Sequence, residues 1–337
     1  MSLKRPMRSL QLKRNGYEPF IDFVKGFCIL SVVLTHSLPQ QIQDCSLFCL
    51  WGGLAVPIFL MIQVFHSYKC GLDSSKSILT LKILKRIVVP FLGTLFLICF
   101  LKIVKHPESI NDSVLWMLKG GGGPGSYYPW VYVQFAVLLA LFRPLLRKIG
   151  SGWSWIFLLL LSVVSEIFCS LVGMPEWLYR ILCFRYIFLI ALGLDWVLEG
   201  IKLDFKRFAL SVLSVACLVY FHYVNPNMEP IFFYSWNTYH WVCYFYAAYA
   251  FIYILNWIYV FCKEYCGIIL KCGKYSYEIF LLQMIVFFYT HVEWFSFAGS
   301  RRVSFVIWFV FVNLMSVIPV LLFKSFVERR IKKNGLR

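Results

Sequence analysis

The stretch YEPFIDFVKGFCILSVVLTHSLPQ, Tyr17 to Gln40, decides how the rest of the chain is read. Most of it is apolar enough to cross a membrane, yet it holds Asp22 and Lys25 near its start and His36 near its end. An ionisable group at mid-bilayer costs roughly 2.5–3.5 kcal/mol on insertion scales, so such groups persist where they pair, line a wet cavity or work. At about 100° per residue, the steps from Lys25 to His36 return to within about 20° of the starting direction, and Asp22 lies about 40° from His36. Asp22, Lys25, Ile29, Val32/Val33 and His36 therefore form one stripe, with about 16 Å of helix axis between Lys25 and His36. A histidine of near-neutral pKa takes a proton from a hydroxyl and returns it. A lysine at the inner mouth meets a phosphate. The plainer alternative is a snorkelling lysine and an interfacial histidine at the helix end.

The remaining sequence is of the same kind. The 337 residues are 60% apolar, 19% aromatic and only 15% charged, with a mean hydropathy of +0.72. A soluble domain is about 45–50% apolar and about 25% charged. Long apolar runs predict ten membrane helices near 20–38, 47–65, 87–104, 127–142, 153–172, 179–198, 208–224, 241–262, 275–291 and 303–323. None alternates as a barrel strand would. The expected organisation is a basic arm over 1–19, one membrane domain over 20–323 and a basic tail over 324–337. The basic start imitates a signal peptide, but the apolar run is long and THSLPQQ lacks a small-x-small cleavage site, so an uncleaved first span is expected.

The net charge of +17 suggests nucleic acid in a soluble protein. Here it reads as positive-inside topology together with contact with anionic lipid or an anionic cytoplasmic ligand; no nucleic acid is expected. Ten spans divide the 33 Lys and Arg into 26 on the side of the termini and 7 elsewhere, which predicts both termini in the cytoplasm. The twelve cysteines are scattered through apolar runs, and no spacing matches a zinc site, so no metal is expected. Gly120–Gly123 lacks the Gly-Lys-Ser/Thr and the flanking strand of a phosphate-cradling loop.

Three further polar sets invite a functional reading. Glu166 falls inside the fifth predicted span, and Arg180 and Arg185 open the sixth. They form either a structural salt bridge or part of a substrate site. Lys82, Lys85 and Arg86 precede the third span, as ordinary anchoring or as a grip on a polyanion. The stretches SYYPWVYVQF (Ser126–Phe135) and FFYSWNTYHW (Phe232–Trp241) read as an aromatic belt at the outer interface, or as platforms for sugar rings.

With these residues in hand, the chain resembles the integral-membrane acyltransferase family 3. The stretch YEPFIDFVKGFCILSVVLTHS is similar to that family's opening helix, with a basic residue, ten residues and a histidine, here Lys25 and His36. LKILKRIVVPF (Leu81–Phe91) resembles its basic run before a span. CGKYSYEIFLLQM (Cys272–Met284) resembles its Gly-Lys-x-Ser-Tyr signature, and AVPIFLMIQVFHSYK (Ala55–Lys69) its second span. The chain departs from the family at Ile62–Phe65, where Ser-Gly-Phe is frequent, and at Gln283, where histidine is frequent.

The resemblance implies a multi-pass protein of the bacterial cytoplasmic membrane that moves an acyl group, acetyl first among them, from cytoplasmic acyl-CoA. The acceptor it implies is a hydroxyl of a surface polysaccharide or lipid-linked sugar. It implies no permanently bound cofactor. Its partners would be acyl-CoA, the glycan acceptor, membrane lipids and glycan-assembly proteins. In that reading His36 is the general base or a transient acyl carrier, and Lys25, Lys82, Lys85 and Arg86 hold the donor's phosphates. The pantetheine arm then runs along the Lys25–His36 stripe. Asp22, Glu166, Arg180, Arg185, Tyr128, Trp130, Gln134, Ser276, Tyr277 and Glu278 form an acceptor-binding or structural polar network. A transporter or flippase and a non-catalytic partner in glycan assembly are the competing readings. No internal symmetry of the transporter kind is visible.

Overall fold

The structure is a computed structural model that describes residues 18–69, 83–105, 115, 125–224 and 241–333. Among the described residues there are helices and turns and no strand, as hydrocarbon demands of any chain that does not close into a barrel. The helices are α1 (Pro19–Ser37), α2 (Gln40–Cys45), α3 (Ala55–Lys69), α4 (Val89–Lys105) and α5 (Tyr128–Leu171). They continue with α6 (Glu176–Ile181), α7 (Leu189–Glu199), α8 (Phe205–Val219), α9 (Trp241–Cys262), α10 (Gly267–Lys274), α11 (Ser276–Tyr289) and α12 (Arg301–Lys333). The chain is a multi-pass membrane protein.

Five described segments are long and apolar enough to cross singly: Pro19–Ser37, Leu84–Val104, Tyr128–Leu146, Gly152–Leu171 and Arg301–Ile331. A sixth arises if Tyr246–Tyr265 and Gly267–Lys274, bent by 114°, count as one span. The other predicted spans are shorter or interrupted. The second starts only at Ala55, after a short 3-10 turn at Phe48–Leu50. The sixth, expected as one helix over 179–198, is α6, a 3-10 turn at Phe184–Tyr186 and α7.

The 44 residues of α5 do not run straight. A straight helix of that length would reach about 66 Å, twice the ~30 Å of hydrocarbon. The Ser154 hydroxyl instead donates to the Leu146 carbonyl, eight residues back, at 3.3 Å. Those groups would sit about 12 Å apart on a straight helix. The chain therefore turns between Leu146 and Gly152, where the two membrane-length segments separate.

Backbone contact between α1 and α10 organises the site. A Cβ on Gly273 would fall 1.7 Å from the Asp22 carbonyl oxygen and 2.8 Å from the Gly26 nitrogen. One on Gly26 would fall 2.0 Å from the Ile269 carbonyl oxygen. Small residues at a membrane helix crossing let backbones approach in this way. The Gly-Lys-x-Ser-Tyr stretch thus needs its glycine to press α10 onto α1 and aim α11 alongside it.

α11 and α4 run parallel. The Tyr277 hydroxyl donates to the Ile87 carbonyl at 2.6 Å, and the Tyr289 hydroxyl to the Ile98 carbonyl at 3.2 Å. α1 keeps the same sense, with Gly26 beside Gly273 and His36 beside Phe287. α12 returns antiparallel. Its Asn313 amide donates to the Ser37 hydroxyl at 3.0 Å, its Lys324 pairs with Glu278 at 2.7 Å, and its Glu328 binds Lys274 and Tyr275. The apolar packing forms two main clusters. One is built on α3, α5, α7 and α9, and the other on α4, α11 and the outer half of α1.

Gly273→Val should prevent stable assembly, because relieving the overlap means moving backbone and costs above about 3 kcal/mol. Gly267→Ala on the same helix meets nothing within 4 Å and should behave as wild type. Thermal unfolding of the two variants in detergent checks the contrast.

Candidate active site

The parallel helices act as a ruler. Equal rise places Lys25 level with the start of α11 at Ser276, and His36 level with Phe287, about 16 Å outward. At the inner level Lys25 pairs with Asp22 at 2.5 Å. His66, near the end of α3, lies within electrostatic reach of Lys25, Asp22 and Arg86. Lys85 and Arg86 are exposed on a π-helical turn, Leu84–Val88, which opens the span ahead of Pro90. Such turns occur often at functional sites. Tyr277 ties this turn to α11, where Ser276 is the first residue and Glu278 pairs with Lys324. Lys82 lies outside the described residues.

At the outer level the His36 ring meets Phe287 edge-on, with centroids 6.1 Å apart, and the side chain is half-buried. The Arg180 charge bears on it. Arg180 sits over the Tyr127 ring at 5.2 Å. Arg185, buried, is surrounded by the rings of Tyr186 at 4.6 Å, Tyr127 at 5.8 Å and Tyr179 at 5.9 Å. Glu166 accepts a hydrogen bond from the Tyr179 hydroxyl at 2.7 Å, with Arg185 acting on it electrostatically. Where sequence offered a salt bridge between helices, the structure supplies a tyrosine as the contact.

Both arginines sit on the broken sixth span because Gln134 holds the break open. At Leu182 the backbone is extended. The Gln134 amide donates to the Ile181 carbonyl at 2.7 Å, and its oxygen accepts from the Cys183 N–H at 3.3 Å. One side chain therefore satisfies the groups on both sides of a gap that lipid would not tolerate.

In the first aromatic stretch Trp130 is exposed and the other residues are partly or wholly buried. Ser126 is fully buried, and Tyr128 packs between Phe59 and Phe280, each with centroids 5.9 Å away. Tyr128 also lies within electrostatic reach of Cys28, Tyr127, Tyr132 and Tyr277. Trp130 meets Phe91 edge-on at 6.0 Å. The start of α5 thus stands inside the bundle, between the levels of Lys25 and His36. The second stretch lies outside the described residues apart from Trp241.

The stripe itself is not an open groove. Ile29 and Val33 are 2% and 1% exposed and locked in the second cluster. The two main clusters instead meet along Val32, Phe59 and Tyr128, which are partly exposed and pack against both. Val32 belongs to the stripe, so the seam meets it at a depth between Lys25 and His36.

The sequence profile of a family described as an acyltransferase domain matches residues 18–324. The chain belongs to acyltransferase family 3. Comparison with curated proteins and with solved structures returns no match. Family membership makes this membrane protein an acyltransferase, and the match spans nearly every element described above. At the departures from the acyltransferase pattern, Gln63 donates to the Tyr132 carbonyl at 3.0 Å, and Val64 packs against Gly193. Sequence reasoning passed over His66, although it stands within VFHSYK, and Tyr127, which only the tertiary fold brings to the arginines.

Gln134→Leu should destabilise the protein by about 1–3 kcal/mol for each backbone group left without its partner. Thermal unfolding beside Gln134→Glu, which keeps the acceptor to Cys183, separates the two bonds.

Proposed function

We propose that this acyltransferase is an O-acyltransferase, acetyl being the first candidate group. It moves the acyl group from cytoplasmic acyl-CoA to a hydroxyl of a surface polysaccharide or lipid-linked sugar. The observation that carries the reading is the pairing of levels. Lys25, Arg86 and His66 gather at the inner level, and His36 lies near Arg180 at the outer one. Ten passes, from the apolar runs, and both termini in the cytoplasm, from the charge distribution, complete the proposal, together with the residence in the bacterial cytoplasmic membrane that the family resemblance implies.

In this reading Lys25, Lys85 and Arg86, with Lys82, bind the phosphates of the donor at the inner end. Asp22 holds the Lys25 ammonium in place until a phosphate competes for it. The flexible arm of the donor follows the seam past Tyr128 and brings its thioester to His36. There the imidazole removes the proton of the acceptor hydroxyl, and the oxygen attacks the thioester carbonyl carbon. The carbon–sulfur bond breaks, and the departing thiolate takes the proton back from the imidazolium. Arg180, Arg185 and the tyrosines around them shape the acceptor side.

His36→Ala should insert and fold normally while lowering acyl incorporation into surface glycan at least a hundredfold, by mass analysis. Lys25→Ala should raise KM for acetyl-CoA about tenfold with a smaller change in kcat. Normal glycan acylation by the His36→Ala protein would sink the reading.

A further inference from the structure

Gln283, on α11, is 0% exposed, and neither its amide nitrogen nor its amide oxygen has a hydrogen-bond partner among the described residues. Gln63 Oε1 and Glu166 Oε2 are also buried without a partner among the described residues, but each of those side chains keeps one bond, Gln63 to the Tyr132 carbonyl and Glu166 from the Tyr179 hydroxyl, whereas both ends of Gln283 are open. Gln134 spends both ends of its amide on one backbone gap, Asn313 bonds Ser37 and Phe309, and Ser316 bonds the Val312 carbonyl. A buried carboxamide with nothing to bind is costly, and a methionine or leucine of similar size would fill the space at no such cost. Packing alone does not account for a glutamine there.

Its position on α11 suggests what it faces. Phe287 is one turn outward and touches His36; Phe280 is one turn inward and touches Tyr128. At about 100° per residue Gln283 lies about 40° from Phe287 and about 60° from Phe280, so all three share a face. The carboxamide is therefore level with the interval between His36 and Tyr128, where the seam arrives and a thioester carbonyl would stand.

We propose that Gln283 is a substrate-contacting residue of the acyl-transfer step, its amide N–H donating to the acyl carbonyl oxygen. The inference rests on the acyl-transfer reading above and assigns a role that reading leaves open. As the acceptor oxygen attacks, the carbonyl π pair moves onto that oxygen, and the N–H bond to it strengthens. The pair returns when the carbon–sulfur bond breaks, and the proton passes from acceptor to His36 to thiolate as before. The missing partner of Gln283 is then the reacting group itself.

The test uses purified full-length protein in lipid nanodiscs, acetyl-CoA as donor, and surface polysaccharide from a strain lacking this protein as acceptor. The readout is release of free CoA thiol. Gln283→Met should lower kcat about a hundredfold, the scale of losing one oxyanion donor, with KM for acetyl-CoA changed less than threefold. Its thermal midpoint should equal or exceed that of wild type, because a buried unsatisfied group has been removed. Gln283→His, which keeps an N–H donor, should recover at least a tenth of wild-type turnover. A Gln283→Met protein with kcat within threefold of wild type overturns the proposal. So does one whose thermal midpoint falls along with its activity, since that marks a structural stitch. Wild-type protein that releases no thiol overturns the acyl-transfer reading, a failure distinct from that of Gln283.

Discussion

Everything at the site hangs on two backbones touching. Gly26 on α1 and Gly273 on α10 have no side chains between them, and a single added carbon would strike a carbonyl oxygen. In lipid there is little hydrophobic drive to bring helices together, so close packing must supply the attraction. From that crossing α11 leaves parallel to α1, and α4 is bound to α11 at both ends by tyrosine hydroxyls. The positions of Lys25, Arg86 and His36 relative to one another follow from this three-helix frame.

Much of this was legible in the sequence, because the frame uses long apolar helices and their period is simple. The first predicted span, 20–38, is α1 within a residue, and the eighth, 241–262, is α9. The single stripe holding Lys25 and His36 needed only the helical repeat. The sequence also led to Gly-Lys-x-Ser-Tyr as a motif, but not to its reason, since a helix crossing is invisible until both backbones are placed.

What stayed hidden depends on non-local polar contacts. The apolar run over 179–198 reads as one helix, because nothing in it forbids helix. The break at Leu182 is set by Gln134, 48 residues earlier, which offers the backbone an alternative to its own hydrogen bonds. Tyr128 reads as a belt residue because aromatic rings cluster at interfaces. Its true surroundings come from α1, α3 and α11 together. Local pattern carries helix content well and the surroundings of a side chain poorly.

The seam through Val32, Phe59 and Tyr128 has a mechanical consequence. Each cluster is close-packed within itself, and interiors of that kind move as solid bodies rather than yielding atom by atom. Where two such bodies abut, the contact resembles a grain boundary in a crystal, the plane along which the solid parts most easily. A slender, flexible molecule can be admitted along that plane without unfolding either body. A bulky one, or a hydrated ion, would have to force both apart. The way the interior is divided thus sets where it can part at least cost.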